Sequence, residues 1–206
     1  MKELTQPVFQ DSAVPSLAPH HRSMLEQGSG ISPEKINDRG YFTLTDPDDL
    51  KELGFADYQL RVPAMVIPVY GVDGRFRFYR IRPDDPRRDL EKPGKVVKYE
   101  QPTGTGLTVD VPRSAQLSLA DVGTRLWIVE GEKKADALVS RGECAVALLG
   151  VWSWKREGLP LPDWDFVRLV GREVHIAFDS DAAHKVEVQR ALSALAEYLQ
   201  ARGACG

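Results

Sequence analysis

The chain has 206 residues, of which 42% are hydrophobic and 28% charged, and its formal net charge is −3. This is the make-up of a soluble globular protein with one large or two small domains, and it excludes a chain that is basic throughout. No apolar run approaches the roughly 18–20 residues of a membrane span, the start MKELTQPVFQDSAVPSLAPHH lacks the apolar stretch of a secretory signal, and two cysteines, Cys144 and Cys205, exclude a disulfide framework and a Cys-based zinc site. No membrane partner and a reducing, cytoplasmic setting are expected.

Residues 1–30 are rich in Pro, Ser, His and Gln, and residues 1–17 read as an extended arm. His20–Leu25 has a short helical pattern. Ser32-Pro33-Glu34-Lys35-Ile36 pairs an N-cap serine with proline at the first helical position. Asp46-Pro47-Asp48-Asp49-Leu50-Lys51-Glu52-Leu53 repeats that signal and stops at Gly54, so residues 18–60 are predicted to be helical. From residue 61 the character changes. Ala64–Tyr70 reads as a strand, Val72-Asp73-Gly74 as a hairpin turn, and Arg75–Arg82 alternates polar and apolar residues, the pattern of a half-buried strand with its arginines on one face. Pro83–Gly94 is a loop, and Val96–Tyr99 a further short strand.

The last third changes again. Leu126–Val129, Ala145–Leu149 and Val174–Phe178 are short apolar runs suited to strands buried on both faces. Glu132–Ser140 is helical and ends at Gly142. Val186–Arg202 is helical, with Val188, Leu192, Leu195 and Leu199 on one face and Gly203 after its end. Strand-helix-strand-strand-helix implies a parallel sheet with crossovers. A fourth parallel strand is expected after Gly203, so the fold is expected to be truncated at its C-terminal end and the chain to be a fragment of a longer protein.

Ligands of open parallel sheets collect at the carboxyl ends of the strands. Glu130 follows the first of these strands, and Asp179 and Asp181 follow the third. Gly150 follows the second and lets the chain turn close by. Three carboxylates on one face repel each other unless a cation neutralises them, and an oxygen-only donor set favours Mg²⁺ or Mn²⁺ over zinc. Spacing alone fits a solvated loop or a helix cap as well as a metal site.

The order of these motifs resembles the Toprim domain of bacterial primases, topoisomerases and some nucleases. Ile128–Leu138 is similar to its first strand-loop-helix, Ala147-Leu148-Leu149-Gly150 to its second strand and glycine, and Ala177-Phe178-Asp179-Ser180-Asp181 to its Asp-x-Asp strand end. The resemblance implies Glu130 as the catalytic acid/base or metal-linked glutamate, with Asp179 and Asp181 as Mg²⁺ ligands. Lys133 and Lys134 face phosphates or are plain solvated lysines, and His184 touches substrate or lies on the surface. Upstream, Ile67-Pro68, Asp73-Gly74-Arg75, Arg80-Ile81-Arg82 and Lys98-Tyr99 resemble the N-terminal part of a primase core. Arg82-Pro83-Asp84, Lys98-Tyr99-Glu100 and Gly150–Trp154 resemble an uncharacterised family of Toprim proteins encoded with plasmid and integrative-element replication genes.

Charge agrees with this. Between Arg75 and Lys98 nine basic residues face four acidic ones, a local +5 in a chain of −3. Arg75, Arg77, Arg80, Arg82, Lys95 and Lys98 are therefore candidates for phosphate contact, with Lys133 and Lys134, and Tyr79 and Tyr99 for stacking on bases. A solvated hairpin face is the plainer reading of the same arginines. Trp152 and Trp154 either pack the two halves together or stack bases.

The expected fold class is thus α/β, a Toprim-like parallel sheet with flanking helices (121–206) preceded by a small α+β segment (18–120). The expected function is a Mg²⁺-dependent, primase-like nucleotidyltransferase of mobile-element replication acting on single-stranded DNA and nucleotides, with a helicase or ATPase domain in the parent protein. A Toprim nuclease and a non-catalytic DNA-binding module are the alternatives. A small-molecule phosphate enzyme is disfavoured, since neither a P-loop nor a Gly-x-Gly-x-x-Gly segment is present.

Overall fold

The computed structural model describes residues 15–179 and 185–206. Most of the arm expected at 1–17, together with Asp181 and His184, therefore lies outside the described residues. Of the arm, Ser16 accepts a backbone hydrogen bond from Thr43 at 3.1 Å.

The first half is a three-stranded antiparallel sheet with short helices. Helix α1 (Pro19–Ser29) and helix α2 (Pro33–Arg39) are joined by Gly30, whose φ of 69° lets it close the first helix in the left-handed conformation. Ser32 caps α2 as expected, its hydroxyl accepting from the Lys35 amide at 3.3 Å. Strand β1 (Phe42–Leu44) follows, too short for any periodicity to reveal it. Helix α3 (Pro47–Glu52) is capped by Asp46, which accepts from the Asp48 amide at 2.9 Å. Strands β2 (Ala64–Tyr70) and β3 (Phe76–Pro83) form the expected hairpin, and β2 lies between β1 and β3.

Both faces of β2 are covered. Ala64 and Val66 pack with Phe42, Leu44, Leu50, Phe55, Tyr79 and Ile81. Met65 and Ile67 pack on the other face with Leu25, Ile31, Ile36 and Tyr41. That is why the strand reads as one apolar run rather than an alternation. Pro68 is tolerated because β1 pairs only with Ala64–Val66, so β2 is already an edge there.

Two features differ from the sequence reading of this half. Residues 96–99 form no strand. The chain touches its neighbours only through single bridges, Arg88 with Val96 and Ile81 with Glu100, since Pro86, Pro93 and Gly94 interrupt any extended run. The arginines of this segment do not share one solvated face either, because Phe78 and Tyr79 are consecutive apolar residues and the register shifts between Phe76 and Phe78, which separates Arg75 and Arg77 from Arg80 and Arg82. Arg80 and Arg82 sit opposite Ile67 and Met65, on the side covered by α1 and α2, and Arg80 is only 9% exposed.

The second half is the expected parallel sheet. Strands β4 (Leu126–Glu130), β5 (Cys144–Leu148) and β8 (Val174–Ala177) lie in the order β5-β4-β8, all parallel. Helix α4 (Glu132–Val139) crosses from β4 to β5. A small hairpin, β6 (Lys155–Arg156) with β7 (Leu159–Pro160), lies between β5 and β8. Helix α5 (Val186–Ala201) buries Ala191, Leu195 and Leu199, four residues apart. Leu192, expected on that face, is 37% exposed. Val109, Val111, Ala115 and Leu119 pack into the same core as the parallel sheet, and Asp110 bridges antiparallel to Ala147 on β5. Beside β8, Cys205 forms a parallel bridge with Glu173, at the position where a fourth strand is expected.

The two tryptophans after Gly150 divide. Trp154 is buried and stacks on Tyr198 with ring centroids 5.3 Å apart, whereas Trp152 is 40% exposed and lies under the Lys155 ammonium. Among the described residues no helix is long and apolar enough to cross a membrane.

Arg39, at the end of α2, joins the halves. Its guanidinium donates to Asp136 on α4 at 2.6 and 2.8 Å, to Asp110 at 2.9 and 3.0 Å, and to the Pro68 carbonyl at 3.0 Å. The Tyr41 hydroxyl donates to Asp136 at 2.5 Å. Burial pushes the Asp110 carboxyl up to about 6 even with Arg39 beside it, and raises Asp136 as well. Burial also opposes the charge on Arg39, but the two aspartates outweigh it and hold the guanidinium charged.

Candidate functional site

A cleft of about 520 Å³ opens where the two sheets meet. Its floor is the carboxyl end of β4, with Glu130, and the start of α4, from Gly131 to Lys134. Asp179, just after β8, and Leu149, just after β5, line one side. Arg80 and Arg82 of β3, with Lys98 and Tyr99, line the other, and Gly28 and Ser29 at the end of α1 close it.

The convergence has a local cause. β4 and β8 are neighbouring parallel strands in register from Leu126–Val174 to Val129–Ala177, so their carboxyl ends emerge side by side. Gly131, at φ 88°, allows the sharp turn from β4 into α4 and leaves that helix start without a side-chain cap. The alternation of β3 points Arg80 and Arg82 the same way.

Charges in the cleft are partly committed to one another. Arg80 Nη1 donates to Glu132 Oε1 at 2.7 Å, an ion pair with 11% and 2% side-chain exposure. Lys134 Nζ pairs with Asp179 Oδ1. Arg82 Nη1 donates to the Tyr99 hydroxyl at 2.9 Å, and the Tyr99 ring faces both the Arg80 and Arg82 guanidinium carbons, 5.3 and 5.2 Å away. Burial raises the Tyr99 phenol despite Arg82. Lys133 Nζ donates to Ser29 Oγ at 3.3 Å, and burial, aided by the Arg82 charge, lowers its ammonium. Among the described residues, Arg82, Lys98 and Lys133 have no carboxylate within salt-bridge reach.

Of the residues singled out in the sequence, Glu130, Asp179, Arg80, Arg82, Lys98, Tyr99, Lys133 and Lys134 line this one cleft. Arg75 and Arg77 do not line it. Arg77 Nη2 donates to Asp73 Oδ1 at 2.8 Å at the hairpin turn, and Arg75 lies at the same turn. Lys95 is exposed on the loop before Lys98. Gly150, at φ 154°, lies beyond Leu149, and a side chain there would meet Ser153 Oγ at 3.1 Å. Asp181 lies outside the described residues. Missed in the sequence were Glu132, whose partner Arg80 is 52 residues away, and Ser29.

The donor set matches a hard divalent cation in kind. Glu130 and Asp179 offer only oxygen, and Mg²⁺ commonly uses one or two carboxylates and completes its shell with water and substrate phosphates. Asp179 is paired with Lys134, an ammonium that a divalent cation on this carboxylate would have to displace.

Comparison with known proteins bears on the fold. A family model described as a domain of unknown function, DUF3854, matches residues 116–205, the stretch from before β4 through α5. Among solved structures, the Aquifex aeolicus primase (zinc-binding and RNA polymerase domains) superposes with a TM-score of 0.62 at 14% identity, over 91% of this chain and 48% of that one. The fold is that of a primase catalytic core. A DnaG primase catalytic domain bound to single-stranded DNA superposes with a TM-score of 0.50 at 17% identity, over 90% of this chain and 72% of that one. The chain spans about half the length of the Aquifex aeolicus structure. No curated protein sequence matches it.

Proposed function

We propose that the chain is a primase-like nucleic-acid-processing module and that its cleft is the working centre. The observation that carries this reading is a single cleft lined by Glu130 and Asp179 together with Arg82, Lys98 and Lys133. Acids that suit a divalent cation and cations that suit phosphates are what a polynucleotide phosphoryl-transfer site requires. The primase-core fold supports the same reading.

In this reading Glu130 and Asp179, with Asp181, hold Mg²⁺ or Mn²⁺. The bound ion supplies charge stabilisation at the transferring phosphoryl group. Arg82 and Lys98 neutralise phosphates of template or nucleotide from the β3 side, and Lys133 does so from α4. Tyr99 holds the two arginines in place through its ring and hydroxyl. The uncapped start of α4 directs backbone dipoles to the same space. Replication of plasmids or integrative elements, with a helicase or ATPase as partner domain, is the setting the sequence resemblance implies.

The test is metal-dependent primer synthesis on single-stranded DNA with nucleoside triphosphates. Glu130→Gln is expected to lower it at least ~10²-fold. Full synthesis by that variant would refute the assignment, and cleavage of labelled DNA instead of synthesis would indicate a nuclease. One observation favours binding without catalysis: Lys134 already serves as counter-ion to Asp179. Salt-sensitive DNA affinity unchanged by chelator, with no turnover, would establish that second reading.

A further inference from the structure

Outside the cleft, the structure gathers a second set of metal-type donors. We propose that His20, His21 and Asp84 form a zinc-class divalent metal site that clamps the start of α1 to the end of β3.

The donors come from distant parts of the chain. His20 and His21 are the second and third residues of α1, and Asp84 directly follows β3. His20 Nε2 is 2.9 Å from Asp84 Oδ2, and His21 Nε2 is 2.8 Å from Asp84 Oδ1. The three donor positions all lie within 4.8 Å of one another. An ion about 2 Å from each donor needs them roughly 3–4 Å apart, so small side-chain rotations suffice to admit it. Among the described residues this is the one place where three His, Cys, Asp or Glu side chains come so close.

The surroundings are those of a built site. His21 is fully buried, and its other ring nitrogen, Nδ1, is 2.8 Å from Thr43 Oγ1 on β1. Thr43 Oγ1 is itself fixed by the Ala18 amide at 2.9 Å. A hydrogen bond to the second ring nitrogen is how proteins orient a ligating imidazole. The Asp84 backbone is anchored by its amide donating to the Pro63 carbonyl at 2.9 Å. His20 and Asp84 are 53% and 34% exposed, which leaves an entry path and an open coordination position. Two imidazoles and one carboxylate suit zinc and its first-row neighbours and not Mg²⁺. The ion would hold α1, whose far end supplies Gly28 and Ser29 to the cleft wall.

The test uses the full chain stripped with chelator, titrated with Zn²⁺ against a chromophoric competitor, with melting followed in parallel. One equivalent of Zn²⁺ is expected to bind and to raise the melting temperature. His20→Ala and Asp84→Asn are expected to weaken binding at least ~100-fold and Thr43→Val by ~10- to 100-fold, while Cys205→Ser binds normally. His20 is exposed, so His20→Ala is expected to fold even where changes at buried His21 do not. Absence of stoichiometric binding, or binding unchanged in both His20→Ala and Asp84→Asn, would overturn the site. So would binding lost in Cys205→Ser alone. None of these readouts depends on the activity of the cleft.

Discussion

Replacing Arg39 by methionine keeps the length and apolar stem of the side chain and removes one charge from the junction of the two halves. The consequence follows from the charge count. One guanidinium serves two carboxylates, Asp110 and Asp136, with 0% and 2% side-chain exposure. Removing one member of a buried ion pair costs about 3–5 kcal/mol, because the remaining charge stays buried without a partner. Here two carboxylates are left, so a loss at or above that range is expected, against a total stability of about 5–15 kcal/mol. Denaturant unfolding at pH 8 measures it.

The same variant carries a pH signature. In the wild type both aspartates have folded pKa values raised by burial, above an ordinary carboxylate's 3.8. Between the unfolded and folded pKa the folded state binds more protons, so stability rises as pH falls. The wild type shares part of this trend through Asp110, whose folded value is about 6. In Arg39→Met both carboxyls rise further, so the gap between variant and wild type narrows from pH 8 to pH 6. Arg39→Lys, which keeps the charge but cannot fork to both carboxylates, is expected to fall between. A loss below about 1 kcal/mol at pH 8, or a gap that does not change with pH, would refute this reasoning.

The cleft cations divide into two classes by partner. Arg82→Met, Lys98→Met and Lys133→Met are each expected to reduce the salt-dependence slope of DNA binding by about 1 without unfolding the protein; an unchanged slope in all three would remove them from the phosphate path. Arg80→Met is expected to destabilise the fold, since Glu132 is left buried and unpaired, and a melting temperature equal to wild type would contradict that. Carbon-detected titration of side-chain carboxyls in the wild type is expected to show Asp110 with a midpoint near 6, and a midpoint in the ordinary carboxylate range would show that Arg39 outweighs its burial.

The parallel sheet was legible because its three strands are buried on both faces and each reads as an unbroken apolar run. Their parallel direction followed from the helical crossover between the first two, whereas the order, with β4 in the centre, did not. Ser32 and Asp46 announced their helices because capping is local chemistry. Three features were illegible for physical reasons. β1 is three residues long. Residues 96–99 have strand-like composition but meet β3 only at Ile81. Leu192 belongs to a helical stripe by spacing, yet the tertiary packing selects Ala191, Leu195 and Leu199.

At the site, Glu130 and Asp179 could be placed from the chain, because a parallel sheet sends its carboxyl ends to one side. The sorting of the arginines could not. Alternation places Arg80 and Arg82 on one face, but nothing in β3 says that Glu132, 52 residues on, buries one of them, or that Tyr99 lies against both. A run of cations in sequence therefore becomes three kinds of residue in space. Arg75 and Arg77 close a turn. Arg80 holds the two halves together through Glu132. Arg82, Lys98 and Lys133 line the cleft with no carboxylate partner among the described residues. The local excess of +5 counts the residues from Arg75 to Lys98 alike and leaves out Lys133, whereas the charge available to a polynucleotide is set by this last group, which lines the same cleft as Glu130 and Asp179.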